Sequence, residues 1–234
     1  MELIVAPESF ALFPGLRLAV AVAHGVDNGT ERPAVSEGWR AAWRAAGDVG
    51  AAYGNAQSHP LVAPWRAGFR RMGVSGREFP SSIEALLRRA LKGGEPFSIN
   101  PLVDFYNTVS LRHTAPAGAF DLADVEEAIE LRLTRAGDVF TALDAAEPLE
   151  LPPGELAYVT GHTVLTRHFV WRQAREGLVT PATRSVVLLS EVLAELGSEA
   201  AARVRDEFVS GLRDDFGVEA RGFILDASNP RAAW

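Results

Sequence analysis

Residues alternate with a period of two through Leu16-Arg17-Leu18-Ala19-Val20-Ala21-Val22, which predicts a strand. The period then lengthens. From Ser36 to Ala46 the spacing is helical, with Trp39 and Trp43 four apart on one face and Ser36 placed as a cap. A basic helical stretch follows around Pro64 to Met72. A further helix over Ser82 to Leu91 is announced by the capping box Ser81-Ser82-Ile83-Glu84 and closed by Gly93-Gly94. Between Asn100 and His113 the apolar residues Leu102, Val103, Tyr106, Val109 and Leu111 form a helical stripe, with Pro101 suited to the first turn.

Beyond His113 short strands dominate. They are predicted over Ile129 to Thr134, Glu155 to Thr160, Thr163 to Trp171 and Arg184 to Ser190, punctuated by Gly137, Pro152-Pro153-Gly154 and Gly161. A C-terminal helix from Ser198 carries Val204, Phe208, Leu212 and Phe216 at four-residue spacing and stops at Gly217. A last strand, Gly222 to Asp226, precedes a tail expected to be loose. Helices first, strands later and a closing helix predict an α+β fold, with helices packed on a mixed or antiparallel β core. No repeat or linker divides the chain, so residues 1–234 are expected as one domain.

Composition narrows the function. With 47% hydrophobic residues among 234, the chain can fill a sizeable core. It has no cysteine, which removes disulfides and thiolate chemistry and makes the cytoplasm the expected location. The apolar stretch Leu16 to Val26 contains Arg17 and His24 and is about half the length a bilayer span needs, so no membrane partner is expected. A net charge of −7 argues against indiscriminate nucleic-acid coating, and no DNA partner is expected. Charge is uneven, however. Between His59 and Lys92 seven basic residues (Arg66, Arg70, Arg71, Arg77, Arg88, Arg89, Lys92) face two acidic ones (Glu78, Glu84). Arg70, Arg71, Arg88 and Arg89 are candidate RNA contacts, or else solvated helix surface.

Familiar local chemistries are missing. There is no phosphate-binding P-loop or Gly-x-Gly-x-x-Gly, and Met72-Gly73-Val74-Ser75-Gly76 lacks the spacing of a nucleophile elbow. His24, His59, His113, His162 and His168 form no recognisable metal spacing, although His162 and His168 would share a face of a continuous strand. Neither cofactor nor metal is expected. The polar residues Asn100, Asp104 and Asn107, four and three apart, fall on one helix face. They suit either a binding site or the capping of that helix.

Those residues also carry a resemblance. The run Ser98-Ile99-Asn100-Pro101-Leu102-Val103-Asp104-Phe105-Tyr106-Asn107, then Ala115-Pro116-Ala117-Gly118-Ala119-Phe120-Asp121, resembles the B3/B4 editing domain of the phenylalanyl-tRNA synthetase β subunit. There Asn and then Val-Asp-x-x-Asn lead into Gln-Pro-x-His-Ala-Phe-Asp at the same spacing. The likeness continues through Ile129-Glu130-Leu131-Arg132, Gly137-Asp138, Leu143-Asp144 and Val179-Thr180-Pro181-Ala182-Thr183, covering residues 82–193 and leaving residues 1–60 as an N-terminal extension. The resemblance implies a module that hydrolyses the ester of a mischarged tRNA by positioning it and a water, without a covalent nucleophile.

Of the family's editing pocket, only Asn107 carries over cleanly. Gly118 stands where the family has histidine, and Phe169-Val170-Trp171-Arg172-Gln173 replaces a Gly-Val-Met-Gly-Gly segment. The family's glutamate falls at Leu189 or Ser190, with Glu191 adjacent. A tyrosine-specific pocket is therefore not implied; a smaller or differently charged amino-acid-like ligand is. Candidate substrate-binding residues are Asn100, Asp104, Asn107, Gly118, Trp171, Arg172, Gln173 and Thr183, and no catalytic residue is assigned. Ser110, Arg112, His113 and Arg167 are further polar residues on offer, Arg112 and His113 also suiting a solvated helix end. Two main functions stay open: a trans-acting aminoacyl-tRNA deacylase involved in translation quality control, and a non-catalytic tRNA- or amino-acid-binding module. A different enzyme on the same scaffold is a third. Aminoacylation is not expected.

Overall fold

In the computed structural model, which describes residues 1–126 and 128–234, the described residues form six α-helices and two sheets. The helices are α1 (Pro7–Leu12), α2 (Pro33–Ala51), α3 (Ala63–Arg71), α4 (Ser82–Ala90), α5 (Pro101–His113) and α6 (Ala200–Asp214). The strands are β1 (Glu2–Val5), β2 (Arg17–His24), β3 (Ala117–Asp121), β4 (Ala128–Leu133), β5 (Val139–Phe140), β6 (Leu149–Glu150), β7 (Leu156–Thr160), β8 (Thr163–Arg167), β9 (Arg172–Gln173), β10 (Ser185–Val192), β11 (Ala220–Leu225) and β12 (Arg231–Ala233).

The smaller sheet is antiparallel, in the order β11-β2-β10-β3. The larger runs β12-β1-β4-β7-β8-β5-β6, with β9 added to β8, and mixes parallel pairs (β1 with β4, β5 with β8) with antiparallel ones. The fold is thus α+β with a mixed β core, as the order of elements in the sequence predicts.

Sequence parity sorts the core, because successive side chains on a strand face opposite ways. On β2, Leu18, Val20 and Val22 enter one cluster, while Ala19, Ala21 and Ala23 enter a second. On β10, Val187 and Leu189 join the first and Val186 and Leu188 the second. The first cluster lies between the sheets, with Leu3, Ile129, Leu131, Leu156 and Tyr158 from the larger one. The second is closed by Leu102, Phe105 and Val109 of α5 and Val204, Phe208 and Leu212 of α6. The small alanines of β2 let the helices approach closely.

Three expectations are corrected. Helix α2 begins at Pro33 rather than at a Ser36 cap, because proline's fixed φ suits the first helical position and Arg32 takes the cap position. The capping box at α4 is half formed: Ser81 Oγ accepts from the Glu84 N–H at 3.4 Å, but the Glu84 carboxylate is drawn to Arg66 at 2.8 and 2.5 Å. The tail is not loose, since β12 pairs with β1 and satisfies that strand's outer hydrogen-bonding edge. Residues 1–60 contribute to both sheets, β2 lying between β11 and β10 and β1 between β12 and β4.

Electrostatic pins hold the turns. Arg132 on β4, 1% exposed, reaches both oxygens of Asp138 at 2.6 and 3.2 Å and also donates to the Gly161 carbonyl. Burial alone would raise the Asp138 carboxyl; Arg132 and the Arg135 N–H hold it below its ordinary range instead. His162 stands 3.2 Å from the same carboxylate.

Candidate functional site

A cavity of about 180 Å³ opens between the two sheets and the helices α4 and α5. Asn107, Gly118 and Trp171, which the sequence resemblance brings together from three segments, all line it. Gln173 joins them. The remaining wall is largely apolar, formed by Phe120, Tyr158, Phe169, Val170 and Leu189 among others, with polar groups from Ser82, Tyr106, Thr166 and Glu191.

Each wall has a local cause. Helix α5 starts where Asn100 Oδ1 accepts from the Val103 N–H at 3.1 Å and is fixed in turn by Asn28 at 2.9 Å. That cap, two turns before Asn107, sets the rotation that brings the Asn107 amide to the cavity. Among the described residues the Asn107 side chain has no hydrogen-bond partner, which leaves both its donor and its acceptor to a ligand. Gly118 sits on β3, the outer strand of the smaller sheet. A Cβ there would meet nothing within 4 Å, so the cavity keeps the space a larger residue would take.

The opposite wall turns at His168 and Phe169, whose φ values of 44° and 64° are left-handed although neither residue is glycine. This corner ends β8 at Arg167, so the expected continuous strand to Trp171 is broken. His162 and His168 consequently share no face: His162 is solvent-exposed and His168 is buried. The corner is held from both sides. The Glu155 carboxylate accepts from the His168 N–H at 2.8 Å and from Arg167, while the Phe169 ring packs on Phe13 and Trp65 at 5.2 and 5.7 Å. Neither ring nitrogen of His168 has a hydrogen-bond partner among the described residues, although Nδ1 stands 3.5 Å from Glu155 Oε1, and burial lowers its pKa. Trp171 stacks edge-on against Phe79 at 4.6 Å.

The most consequential lining residue is Glu191. Strand parity puts residue 191 on the same face as Val187 and Leu189, toward the space between the sheets, whereas Ser190 turns away to donate to the Pro116 carbonyl. Glu191 is 5% exposed and accepts a 2.6 Å hydrogen bond from the Tyr158 hydroxyl. Burial pushes its carboxyl up to about 7, even though the Tyr158 bond acts in the opposite direction. Tyr158 is itself raised well above the ordinary phenol range, by burial first and then by Glu191.

Several sequence candidates lie elsewhere. Asn100 and Asp104 are buried at the start of α5, where Asp104 accepts from Ser98 at 2.5 Å and from the Ile99 N–H at 3.3 Å; they shape the helix end and do not line the cavity. Burial raises the Asp104 carboxyl. Thr183 donates to Asp121 at 2.6 Å and latches the loop before β10. Arg172 points to the surface and pairs with exposed Asp144 at 2.7 Å. Gln173 does line the cavity, but its Nε2 donates to the Ala119 and Gly177 carbonyls at 3.0 Å each, leaving only its oxygen free. Arg112 and His113 both reach Glu207 at 2.7 Å and tie α5 to α6.

The profile of the B3/4 domain matches residues 64–207, more than half of the chain and inclusive of every residue lining the cavity. The chain belongs to the B3/4 domain family. No curated protein matches it. Among solved structures, an N-terminal fragment of the phenylalanyl-tRNA synthetase beta-subunit from Pyrococcus horikoshii aligns at 10% identity with a TM-score of 0.49. That alignment covers 96% of this chain and 54% of the other, so this chain spans about half the length of that fragment. Within the B3/4 domain the cavity is framed in part by α5, β3 and β10, three of the segments whose sequence carries the resemblance.

The basic residues expected to meet RNA are exposed in the last turns of two successive helices, Arg70 and Arg71 on α3, Arg88 and Arg89 on α4. Arg66 is not available in the same way, because Glu84 holds it. Among the described residues no helix is long and apolar enough to cross a membrane.

Proposed function

We infer that this B3/4 domain acts on aminoacyl-tRNA in trans, holding the amino-acid ester in the cavity at Asn107 for hydrolysis. The observation that supports this reading most is the convergence of Asn107, Gly118, Trp171 and Glu191 on one small cavity, within a chain whose sequence resembles a synthetase editing module. A volume of about 180 Å³ suits a single amino-acid-sized group rather than a nucleotide. The apolar wall would take a side chain, while Asn107, Ser82 and Thr166 offer hydrogen bonds to the ester and the amino group.

Backbone donors add to this. On β3, the Asp121 N–H bonds outward to Gly177 and the Ala119 carbonyl bonds outward to Gln173. Alternation along an antiparallel ladder puts the Ala119 N–H on that same outer side, next to the cavity. A backbone donor so placed can stabilise charge developing on an ester oxygen, and positioning of this kind contributes much of a hydrolytic rate without a nucleophile. The exposed arginines of α3 and α4 would meet tRNA phosphates.

The test is to incubate the purified protein with tRNAs charged correctly and, separately, with near-isosteric amino acids, and to follow release of the amino acid. Release above the uncatalysed rate from at least one member supports the reading. Binding of aminoacyl-tRNA without release would favour a non-catalytic module on the same fold.

A further inference from the structure

We propose that Glu191 is the proton acceptor of this site, taking a proton from the attacking water and passing it to the departing ribose oxygen, with Tyr158 as its positioning residue. This assignment rests on the hydrolase reading given above and goes beyond it, since a water-positioning pocket alone needs no titrating side chain.

A carboxyl group 5% exposed, on a strand buried on both faces, is costly unless it is fully partnered or used. Besides its own backbone N–H, Glu191 has a single hydrogen-bond partner among the described residues. Its Oε1 takes the Tyr158 hydroxyl at 2.6 Å, while its other oxygen has no partner in another residue among those described, on a side chain that forms part of the cavity wall. The Glu191 side chain thus borders whatever fills the cavity. Asn107 contributes its unpaired amide to the same space from α5.

Electrostatics agree. The titratable groups lining the cavity are Glu191 from β10, Tyr158 from β7 and Tyr106 from α5. β3, α4, β8 and β9 bring none to it, and across the sheet Glu191 is paired in register with Leu18 of β2. Without a neighbouring cation, burial leaves the carboxyl titrating near neutrality, where a general base is most useful.

The step balances without any co-reactant. Water's oxygen forms a bond to the ester carbonyl carbon as its proton moves to the ionised Glu191. Collapse of the tetrahedral adduct then breaks the carbon–ribose oxygen bond, and that oxygen takes the proton back from Glu191. Free amino acid and tRNA with a free hydroxyl leave.

The experiment uses the full chain and the charged tRNA that turns over fastest in the panel described above. Glu191→Gln, which keeps an acceptor for Tyr158, is expected to lower kcat at least a hundredfold with KM changed less than threefold. It should also abolish the acid limb of the kcat/KM–pH profile, which in the wild type is expected near pH 7. Tyr158→Phe removes a hydrogen bond that favours the ionised carboxylate, so it is expected to move that limb to higher pH. An active wild type whose rate and acid limb survive Glu191→Gln would overturn this assignment and leave the hydrolase reading standing. Unaltered limb position in Tyr158→Phe would remove Tyr158 from its role. A wild type that releases no amino acid from any charged tRNA would defeat both readings. Circular dichroism and a urea midpoint for each variant separate a chemical loss from a folding loss.

Discussion

The Tyr158 hydroxyl lies 2.6 Å from Glu191 Oε1, joining the larger sheet to the smaller through a bond between two buried, titratable side chains. Stability should therefore depend on pH through Glu191. Its carboxyl titrates at about 7 when folded, against an ordinary value of 4.5. The group's contribution is fully present below the unfolded value and is lost as pH rises through the folded one. Wild type compared with Glu191→Gln should lose stability between about pH 4.5 and 7, by on the order of 3 kcal/mol, and level off above. Urea unfolding of both proteins at pH 5 and pH 8 measures this. A difference between them that is constant across pH would show that Glu191 titrates normally.

Asn107→Ala should reduce deacylation roughly tenfold to hundredfold, the loss of about 1–3 kcal/mol from one well-used hydrogen bond. The fold should be unaffected, since the amide makes no bond of its own among the described residues. Arg172→Ala provides the contrast. Its exposed pair with Asp144 lies off the cavity, so amino-acid release should stay within twofold of wild type.

Replacing Arg70, Arg71, Arg88 and Arg89 by Ala should weaken tRNA binding and flatten its dependence on salt by roughly three units of log–log slope. Fluorescence anisotropy across a salt series reads both quantities. Equal slopes for the variant and wild type would assign these residues to favourable but uninvolved positions at helix C-termini.

Arg132→Ala should be the most damaging single change outside the apolar core. It strands Asp138, which is 0% exposed, without its counter-charge, a defect that costs about 3–5 kcal/mol. Thermal melting should show the loss directly. A shift no larger than that of an exposed-arginine variant would mean that water or a rearranged turn replaces the guanidinium.

Gly68 on α3 faces the Phe13 ring so closely that a Cβ would overlap it. Phe13 in turn supports Phe169 at the cavity corner. Gly68→Ala should cost about 1–3 kcal/mol through overpacking and should also raise KM, because the displaced ring reaches the cavity wall. A neutral melting temperature would show that Phe13 has room to withdraw.

Much of the architecture can be read from periodicity. The α4 and α5 helices and the strands β2, β4, β7 and β10 all lie where spacing and turn residues predict them. Boundaries failed where tertiary partners outbid local signals: Ser36 lost its cap role to Pro33, and Glu84 left the capping box for Arg66. The His168 corner was illegible because left-handed φ normally advertises itself as glycine, and here packing on Phe13 and Trp65 enforces it on other residues. At the site, Asn107, Gly118 and Trp171 emerged from motif order. Glu191 needed the register, since a polar residue at the end of an apolar strand does not declare its face until neighbouring odd-numbered residues are known to point between the sheets. Asn100, Asp104 and Thr183 lie off this cavity and hold the backbone around it, since capping and binding recruit the same side chains.

The two sides of the cavity are built with unequal firmness. β10 is flanked by strands on both edges and covered on both faces, so its amides should be among the slowest to exchange with deuterated solvent. β9 is two residues long and hangs on β8 alone among the described strands. Breathing motions will therefore part the cavity along β9, beside Trp171 and Gln173, while Glu191 holds still. Ligands should come and go past the tryptophan, making its fluorescence a natural clock for that traffic.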